Sequence, residues 1–97
     1  MAIDTTPWDV TEYLGSEEAI AHFLEAILEE NDPSLLAAAL GDIAKAQGMT
    51  QIARDAGLSR ESLYKALSKD GNPELGTVMR VMKVMGLRLS AMPVKAA

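Results

Sequence analysis

The stretch QIARDAGLSRESLYKAL, residues 51–67, decides the fold of this chain. Its pattern predicts two short helices that are joined by a sharp turn at residues 57–59. The first helix is expected over roughly residues 50–56 and the second over residues 60–68. Ser59 stands immediately before the second helix, where its hydroxyl can accept a hydrogen bond from a free backbone N–H and act as the N-cap. We therefore expect two helices that pack against each other across a very short connection.

Small and apolar residues in this stretch are spaced as in a DNA-binding helix-turn-helix. Ala53 is small enough to let the second helix approach closely, and Gly57 permits the positive φ that a sharp turn needs. The apolar side chains that would hold the two helices together are Ile52, Ala56, Leu58, Leu63 and Ala66. A plain pair of antiparallel helices with a glycine turn is the alternative. The agreement of all these positions favours a helix-turn-helix over residues 49–68.

The remainder of the chain also predicts helices, so the expected fold class is all-α. These further helices span residues 7–14, 17–30, 33–47 and 73–85, with Thr6, Ser16, Asp32 and Asn72 as their N-caps. Pro33 and Pro73 suit the first position of a helix, and Gly48 and Gly86 suit the position after the last. The helix over residues 17–30 carries an apolar stripe at helical spacing, formed by Ile20, Phe23, Leu24, Ile27 and Leu28.

The C-terminal part carries more apolar surface than one core-facing stripe requires. In the helix over residues 73–85 the stripe expected to face the core is Leu75, Val78, Met79, Met82 and Met85, and two valines extend it onto a second face. Residues 87–92 place apolar side chains at alternate positions, which predicts a short β-strand or an extended tail. A lone strand in a helical chain lacks a hydrogen-bond partner. We therefore expect a homodimer whose interface includes Val81, Val84, Met85, Leu87 and Leu89.

Charge is distributed very unevenly along the chain. The net charge is −5, yet residues 1–44 contain ten acidic residues and no Lys or Arg. Residues 45–97 contain all nine basic residues and four acidic ones, a net charge of +5. Charged blocks often do no more than solvate a surface, but two opposite blocks on one small domain predict two partners of opposite charge. For residues 45–69, with five basic and two acidic residues, the expected partner is double-stranded DNA.

The outer face of the helix over residues 60–68 holds the expected DNA contacts. Arg60 can bind guanine O6 and N7 together, Glu61 can accept from cytosine N4, and Lys65 can reach a base or a phosphate. Further contacts to bases or phosphates are expected from Ser59, Ser62, Tyr64, Lys69, Thr50, Gln51 and Lys45. Glu61 and Lys65 are also spaced as a simple i, i+4 surface pair, and both interpretations can hold. In a dimer the two helices would enter major grooves about 34 Å apart, which predicts a palindromic operator.

Composition argues against several classes of function. The chain has no cysteine, and therefore no disulfide, thiolate metal site or thiol nucleophile. His22 is the only histidine, and no catalytic set, metal-ligand spacing or Gly-rich phosphate loop accompanies it. We therefore expect no enzyme, no small-molecule substrate, no metal and no other cofactor. The longest apolar run, LLAAAL at residues 35–40, is too short to cross a bilayer. The N-terminal segment MAIDTTPWDV lacks the features of a signal peptide. We therefore expect a cytoplasmic protein.

A resemblance to a known family rests on residues 39–93, ALGDIAKAQGMTQIARDAGLSRESLYKALSKDGNPELGTVMRVMKVMGLRLSAMP. They resemble the addiction-module antidote proteins, which are HigA-like antitoxins with a lambda-repressor-like (XRE-type) helix-turn-helix. The most specific part of the likeness is the order of three segments behind an acidic helical region: GLSRESLYKAL, then GNP, then MGLRLS. The upstream segment YLGSEEAIAHFLEAILEENDPSLLAAAL extends the likeness over nearly the whole chain. We expect an acidic N-terminal helical extension at 1–31, a lambda-repressor-like helical DNA-binding domain at 32–92 and a tail at 93–97.

The resemblance implies a homodimeric repressor that binds its own operator and neutralises a small basic RelE/ParE/HigB-like toxin in a type II toxin–antitoxin module. The DNA-recognition residues that it implies are Ser59, Arg60, Glu61, Ser62 and Lys65. The toxin would meet the acidic block, where the expected contacts are Trp8, Tyr13, Glu17, Glu18, Glu25 and Glu29. The alternative is a stand-alone XRE-type repressor without a toxin partner, which leaves the acidic block without a task.

Overall fold

A computed structural model describes residues 16–94 of the chain, and this part is helical with irregular connections. Its five helices are α1 (Glu17–Glu29), α2 (Pro33–Gln47), α3 (Met49–Asp55), α4 (Arg60–Ala66) and α5 (Leu75–Val84). The all-α prediction is therefore confirmed for the described residues. The helix predicted over residues 7–14 lies outside them.

Side-chain caps begin α1 and α2 at the positions that the sequence predicts. The Ser16 hydroxyl accepts a hydrogen bond from the Ala19 N–H at 3.1 Å. The Asp32 carboxylate accepts from the N–H groups of Ser34 and Leu35 at 3.0 and 3.3 Å. Each bond satisfies a backbone donor that the first turn of a helix leaves free. Both capping predictions are confirmed.

One hydrophobic core contains residues from all five described helices. Its largest fully buried side chains are Ile20, Leu24, Leu40, Ile43, Leu63 and Val81, each at most 2% exposed. The first two belong to α1, which packs against α2. From residue 17 onward, the expected N-terminal extension is thus built into the same core as the region expected to form the DNA-binding domain.

The start of α5 lies later than predicted. The sequence predicts Asn72 as the cap and Pro73 as the first residue, but the helix begins at Leu75. A methyl group added at Gly71 would overlap backbone carbonyl oxygens at the end of α4. The loop therefore lies tightly against α4, and this tertiary contact overrides the local signal for a helix start.

The buried face of α5 agrees with the predicted one only in part: Val78, Met82 and Met85 are buried as predicted. Its buried residues include Val78, Val81 and Met82. Leu75 and Met79, which the pattern assigns to the core, are 66% and 51% exposed. The apolar run of this helix fits two neighbouring stripes, and packing has selected the one centred on Val81.

The predicted C-terminal β-strand is absent from the described residues. After Gly86 the chain forms neither strand nor helix as far as residue 94. A strand needs a partner for its backbone hydrogen bonds, and the described part of the single chain offers none. Leu87 and Leu89 instead pack half-buried against the core. The strand prediction is wrong for the chain by itself.

The residues expected at a dimer interface differ in their exposure. Val81 and Met85 are 0% and 3% exposed, so the core of the single chain already covers them. Val84, Leu87 and Leu89 are half-buried at the edge of that core. The first two residues are therefore unavailable to a second copy without unfolding, while the other three keep part of their surface free.

Candidate nucleic-acid interface

A tight turn joins α3 to α4 at the predicted place. Gly57 has a φ of +75°, a left-handed conformation that glycine adopts without strain. The Leu58 N–H donates to the Ala53 carbonyl oxygen at 2.8 Å, and the Gly57 N–H donates to the Arg54 carbonyl oxygen at 3.1 Å. These bonds satisfy carbonyl groups that the end of a helix leaves free. Ala53 is buried, at 2% exposed, and α3 and α4 pack against each other.

α4 is fixed against α2 as well as against α3. Leu63 and Leu67 anchor it in the core, at 0% and 3% exposed. A methyl group added at Gly41 of α2 would overlap the carbonyl oxygen of Leu67. The two backbones therefore approach as closely as glycine permits. Gly41 carries no local signal in the sequence, because only the fold brings it to Leu67.

A serine pair holds the N-terminus of α4. The Ser59 Oγ accepts from the Ser62 N–H at 3.0 Å and donates to the Ser62 Oγ at 2.8 Å. Ser59 is therefore the N-cap, as predicted. Arg60 and Glu61 are left in the first turn, exposed to solvent. A DNA contact through either serine would use atoms that also fix the start of the helix.

The exposed side of α4 carries the charged residues expected to meet DNA. Arg60, Glu61 and Lys65 are exposed, and Tyr64 is 54% exposed. At about 100° per residue, Glu61 and Lys65 lie on the side of the helix farthest from its buried leucines. We call these four residues, Arg60, Glu61, Tyr64 and Lys65, the α4 face. Lys69 is exposed in the turn that follows the helix.

Lys45 of α2 and Tyr64 of α4 are neighbours in the fold although they are distant in sequence. The Lys45 Nζ lies 5.1 Å from the centroid of the Tyr64 ring, within the range of a cation–π interaction. Lys45 is itself exposed. The structure thus brings one predicted contact from α2 to the edge of the α4 face.

Thr50 and Gln51 lie exposed in the first turn of α3. The Gln51 Nε2 donates to the Asp55 Oδ1 at 2.9 Å, one turn further along the helix. This hydrogen bond holds the Gln51 side chain along α3. The amide nitrogen has a second N–H, which stays available for the predicted phosphate contact of Gln51.

Arg80 of α5 is a charged residue near the turn that no sequence motif identifies. Its guanidinium Nη1 lies 3.8 Å from the position that a β-carbon would occupy at Gly57. Arg80 is exposed, so it adds positive charge beside the connection between α3 and α4. Only the tertiary contact links it to the predicted site.

A groove of about 470 Å³ runs beside the C-terminal half of α4. Its lining residues are Ser62, Lys65, Ala66, Ser68, Asp70, Gly71 and Asn72. The Ser68 hydroxyl donates to the Lys65 carbonyl oxygen at 2.9 Å and so closes the end of the helix. Two predicted DNA contacts, Ser62 and Lys65, therefore share one surface with the loop that follows α4.

The exposed side of α1 is acidic. Glu18, Glu25 and Glu29 are exposed, and at helical spacing they lie in one line along the helix, opposite Ile20 and Leu24. We call Glu18, Glu25 and Glu29 the acidic stripe. Three of the predicted toxin contacts thus lie on one side of α1.

The other predicted toxin contacts are placed differently. The Glu17 carboxylate lies against Gly86 at the end of α5, where an added β-carbon would overlap it. Glu17 is exposed but directed toward that end of the fold rather than along the acidic stripe. Trp8 and Tyr13 lie outside the described residues.

The described part of the chain has neither a metal-binding cluster nor a membrane-spanning helix. Within residues 16–94, no three His, Asp or Glu side chains come together in a group that could hold a metal ion. None of the helices there is both long enough and apolar enough to span a membrane. The single histidine, His22, is exposed on α1.

Comparison with known proteins identifies the family. Residues 4–93 match the family described as "Probable addiction module antidote protein". An uncharacterized protein of Haemophilus influenzae is 58% identical over 81 residues, which cover 84% of this chain and 84% of that protein. No solved structure gives a significant match. The chain therefore belongs to the addiction-module antidote proteins.

Proposed function

We propose that this chain is the antitoxin of a type II toxin–antitoxin module. In this proposal it neutralises a small basic RelE/ParE/HigB-like toxin and, as a HigA-like homodimer in the cytoplasm, represses its own operon. The observation that carries the proposal is the presence of two oppositely charged surfaces on one core, the α4 face and the acidic stripe. Membership of the antidote family supports the toxin partner.

The DNA-binding part of the proposal rests on the geometry of α3 and α4. A recognition helix contacts base edges mainly through its N-terminal residues. Arg60 is the first residue of α4, exposed and immediately after a capped start. Leu63 fixes the side of α4 opposite Glu61 and Lys65 in the core. We infer a lambda-repressor-like helix-turn-helix in which α4 enters the major groove and Arg60 contacts a base.

The toxin-binding part rests on the acidic stripe. Its three carboxylates are exposed on a helix whose other face is fixed in the core. A preformed line of negative charge attracts a basic protein and selects it over acidic ones. The alternative function, a repressor without a toxin partner, accounts for the α4 face but gives this stripe no role.

Co-expression with the product of the adjacent small gene tests the toxin-binding proposal. We expect the two proteins to co-purify through a tag on that product, and the growth arrest caused by the product to be relieved. Replacing Glu18, Glu25 and Glu29 by Gln is expected to weaken the complex at least tenfold, because the charges that complement a basic partner are removed. Operator binding should be retained, since no residue of the α4 face changes.

A matched control removes three exposed acidic residues elsewhere. Asp42→Asn, Asp70→Asn and Glu74→Gln produce the same change of net charge outside α1, and this variant should keep its affinity for the toxin. An equal loss of toxin affinity in both triple variants would show that the affinity depends only on the net charge of the chain and not on the acidic stripe. Absence of any complex and of any rescue would leave the stand-alone repressor.

The role of Arg60 is tested by the sequence dependence of binding. We expect Arg60→Ala to lose about 1–3 kcal/mol of discrimination at one base pair in each half-site, because a bidentate contact to guanine is removed. The measurement is the dissociation constant for the operator and for operators with single base changes, at fixed salt.

Arg54→Ala provides a control with the same loss of charge on α3. It should not change the preference at that base pair, because Arg54 lies in the last turn of α3 rather than at the start of α4. If Arg60→Ala weakens binding to operator and random DNA equally, Arg60 is a phosphate contact instead.

A further inference from the structure

The pairing of Lys45 with Tyr64 joins two helices at the edge of the α4 face. We propose that these residues act as one unit, in which the Tyr64 ring positions the Lys45 ammonium group against a DNA phosphate beside the major groove. The inference rests on the proposed DNA-binding function. It assigns Tyr64 a positioning role and makes the phosphate contact of Lys45 depend on that ring.

The position of Tyr64 on α4 favours a role at the DNA backbone. Glu61 and Lys65 lie farthest from the core, whereas Tyr64 lies on the flank of the helix that is nearest to Lys45 of α2. When a helix enters the major groove, its outermost side chains meet the bases, and groups at its flanks come near the phosphates that border the groove. The ammonium group of Lys45 is therefore placed where a phosphate is expected.

The ring restricts a side chain that is otherwise mobile. A lysine side chain has several rotatable bonds and loses conformational freedom when it is held at a phosphate. The Lys45 Nζ lies 5.1 Å from the centroid of the Tyr64 ring, and a cation–π interaction at this distance favours that placement of the side chain in the chain without DNA. The C-terminus of α2 also attracts the Lys45 charge, but it does not direct that charge toward α4. The ring supplies this direction.

The experiment measures how DNA binding depends on salt. The full-length chain and its variants are titrated against a labelled duplex that carries the sequence directly upstream of its gene, over a range of KCl concentrations. Each phosphate contact contributes about 0.9 to the slope of log K against log [KCl]. Because the proposed homodimer carries two copies of Lys45, we expect Lys45→Gln to reduce the magnitude of the slope by about 1.8. Tyr64→Leu should reduce it by a similar amount, and the double variant should reduce it no further.

Two controls separate positioning from other effects. Tyr64→Phe keeps the ring and should keep the wild-type slope, which excludes a role for the hydroxyl group. Lys83→Gln removes an exposed lysine from the last turn of α5 and should leave the slope unchanged.

In the absence of DNA, the Lys45 side-chain protons should show a ring-current shift in NMR spectra that is lost in folded Tyr64→Leu.

The outcomes distinguish this inference from the proposed function. If the wild-type chain binds neither this duplex nor a scrambled one, both are overturned. If the wild type binds but Lys45→Gln keeps its slope, or the effects of Lys45→Gln and Tyr64→Leu add, only the coupling of Lys45 to Tyr64 is overturned. A wild-type slope in Tyr64→Leu would likewise overturn it.

Discussion

Replacing Leu24 by Ala should cost about 2–5 kcal/mol of the free energy of unfolding, which is the range for a fully buried leucine. Leu24 is 1% exposed and lies on α1, in the same core as Leu63 of α4. A domain of this size has only about 5–15 kcal/mol of stability. We therefore expect urea denaturation, followed by circular dichroism, to show one transition at a clearly lower midpoint.

The control for Leu24 lies one turn further along the same helix. Leu28 is 38% exposed, so Leu28→Ala should stay within about 1 kcal/mol of the wild type. Hydrogen exchange provides the discriminating measurement: in Leu24→Ala, the amide protons of Leu63 and Leu67 should lose protection together with those of α1. If α1 alone lost protection while α4 kept it, α1 would be an appendage rather than part of the core.

Replacing Gly41 by Ala should destabilise the fold even though it improves helix propensity. Alanine in the middle of a helix is favoured over glycine by about 1 kcal/mol. At Gly41, however, the added methyl group would overlap the carbonyl oxygen of Leu67, and overpacking of this kind typically costs about 1–3 kcal/mol. Because the overlapping atom belongs to the backbone, α2 and the end of α4 must move apart. We expect a lower unfolding midpoint and weaker operator binding.

Gly76 is the matched control, because the same substitution there has room. Gly76 lies within α5, and nothing is within 4 Å of an added β-carbon. Gly76→Ala should therefore stabilise the chain by about 0.5–1 kcal/mol, through helix propensity and a less flexible unfolded state. Opposite signs for the two substitutions in urea denaturation are the expected result. Equal stabilisation would mean that α2 and α4 approach less closely than described.

Features that depend on a few neighbouring residues could be predicted from the sequence. Ser16, Asp32 and Ser59 cap helices as expected, because a cap is a hydrogen bond to a backbone group two or three residues away. The turn at Gly57 follows equally from local geometry, since glycine adopts positive φ without strain. The exposure of Glu61 then follows from its position across α4 from the buried Leu63, and that of Arg60 from its place directly after the cap, at the start of the helix.

Features that depend on the packing of distant segments could not be predicted. The exact set of buried side chains on α5 depends on what this helix packs against, so the sequence pattern places Met79 in the core although it is 51% exposed. The contact between Gly41 and Leu67 and the pairing of Lys45 with Tyr64 join residues on different helices. Alternation after Gly86 predicts either a β-strand or an extended tail, and it cannot choose between them, because a strand also needs a hydrogen-bond partner from another segment.

The shared core of α1 and α4 links the acidic stripe and the α4 face through the folding equilibrium. A partner that binds only the native acidic stripe lowers the free energy of every folded chain, by about 2.7 kcal/mol when its concentration is a hundred times its dissociation constant. Because Ile20 and Leu24 share their core with Leu63, that free energy also protects α4 from unfolding. A partner bound at the acidic stripe therefore lengthens the time for which α4 survives exposure to a protease.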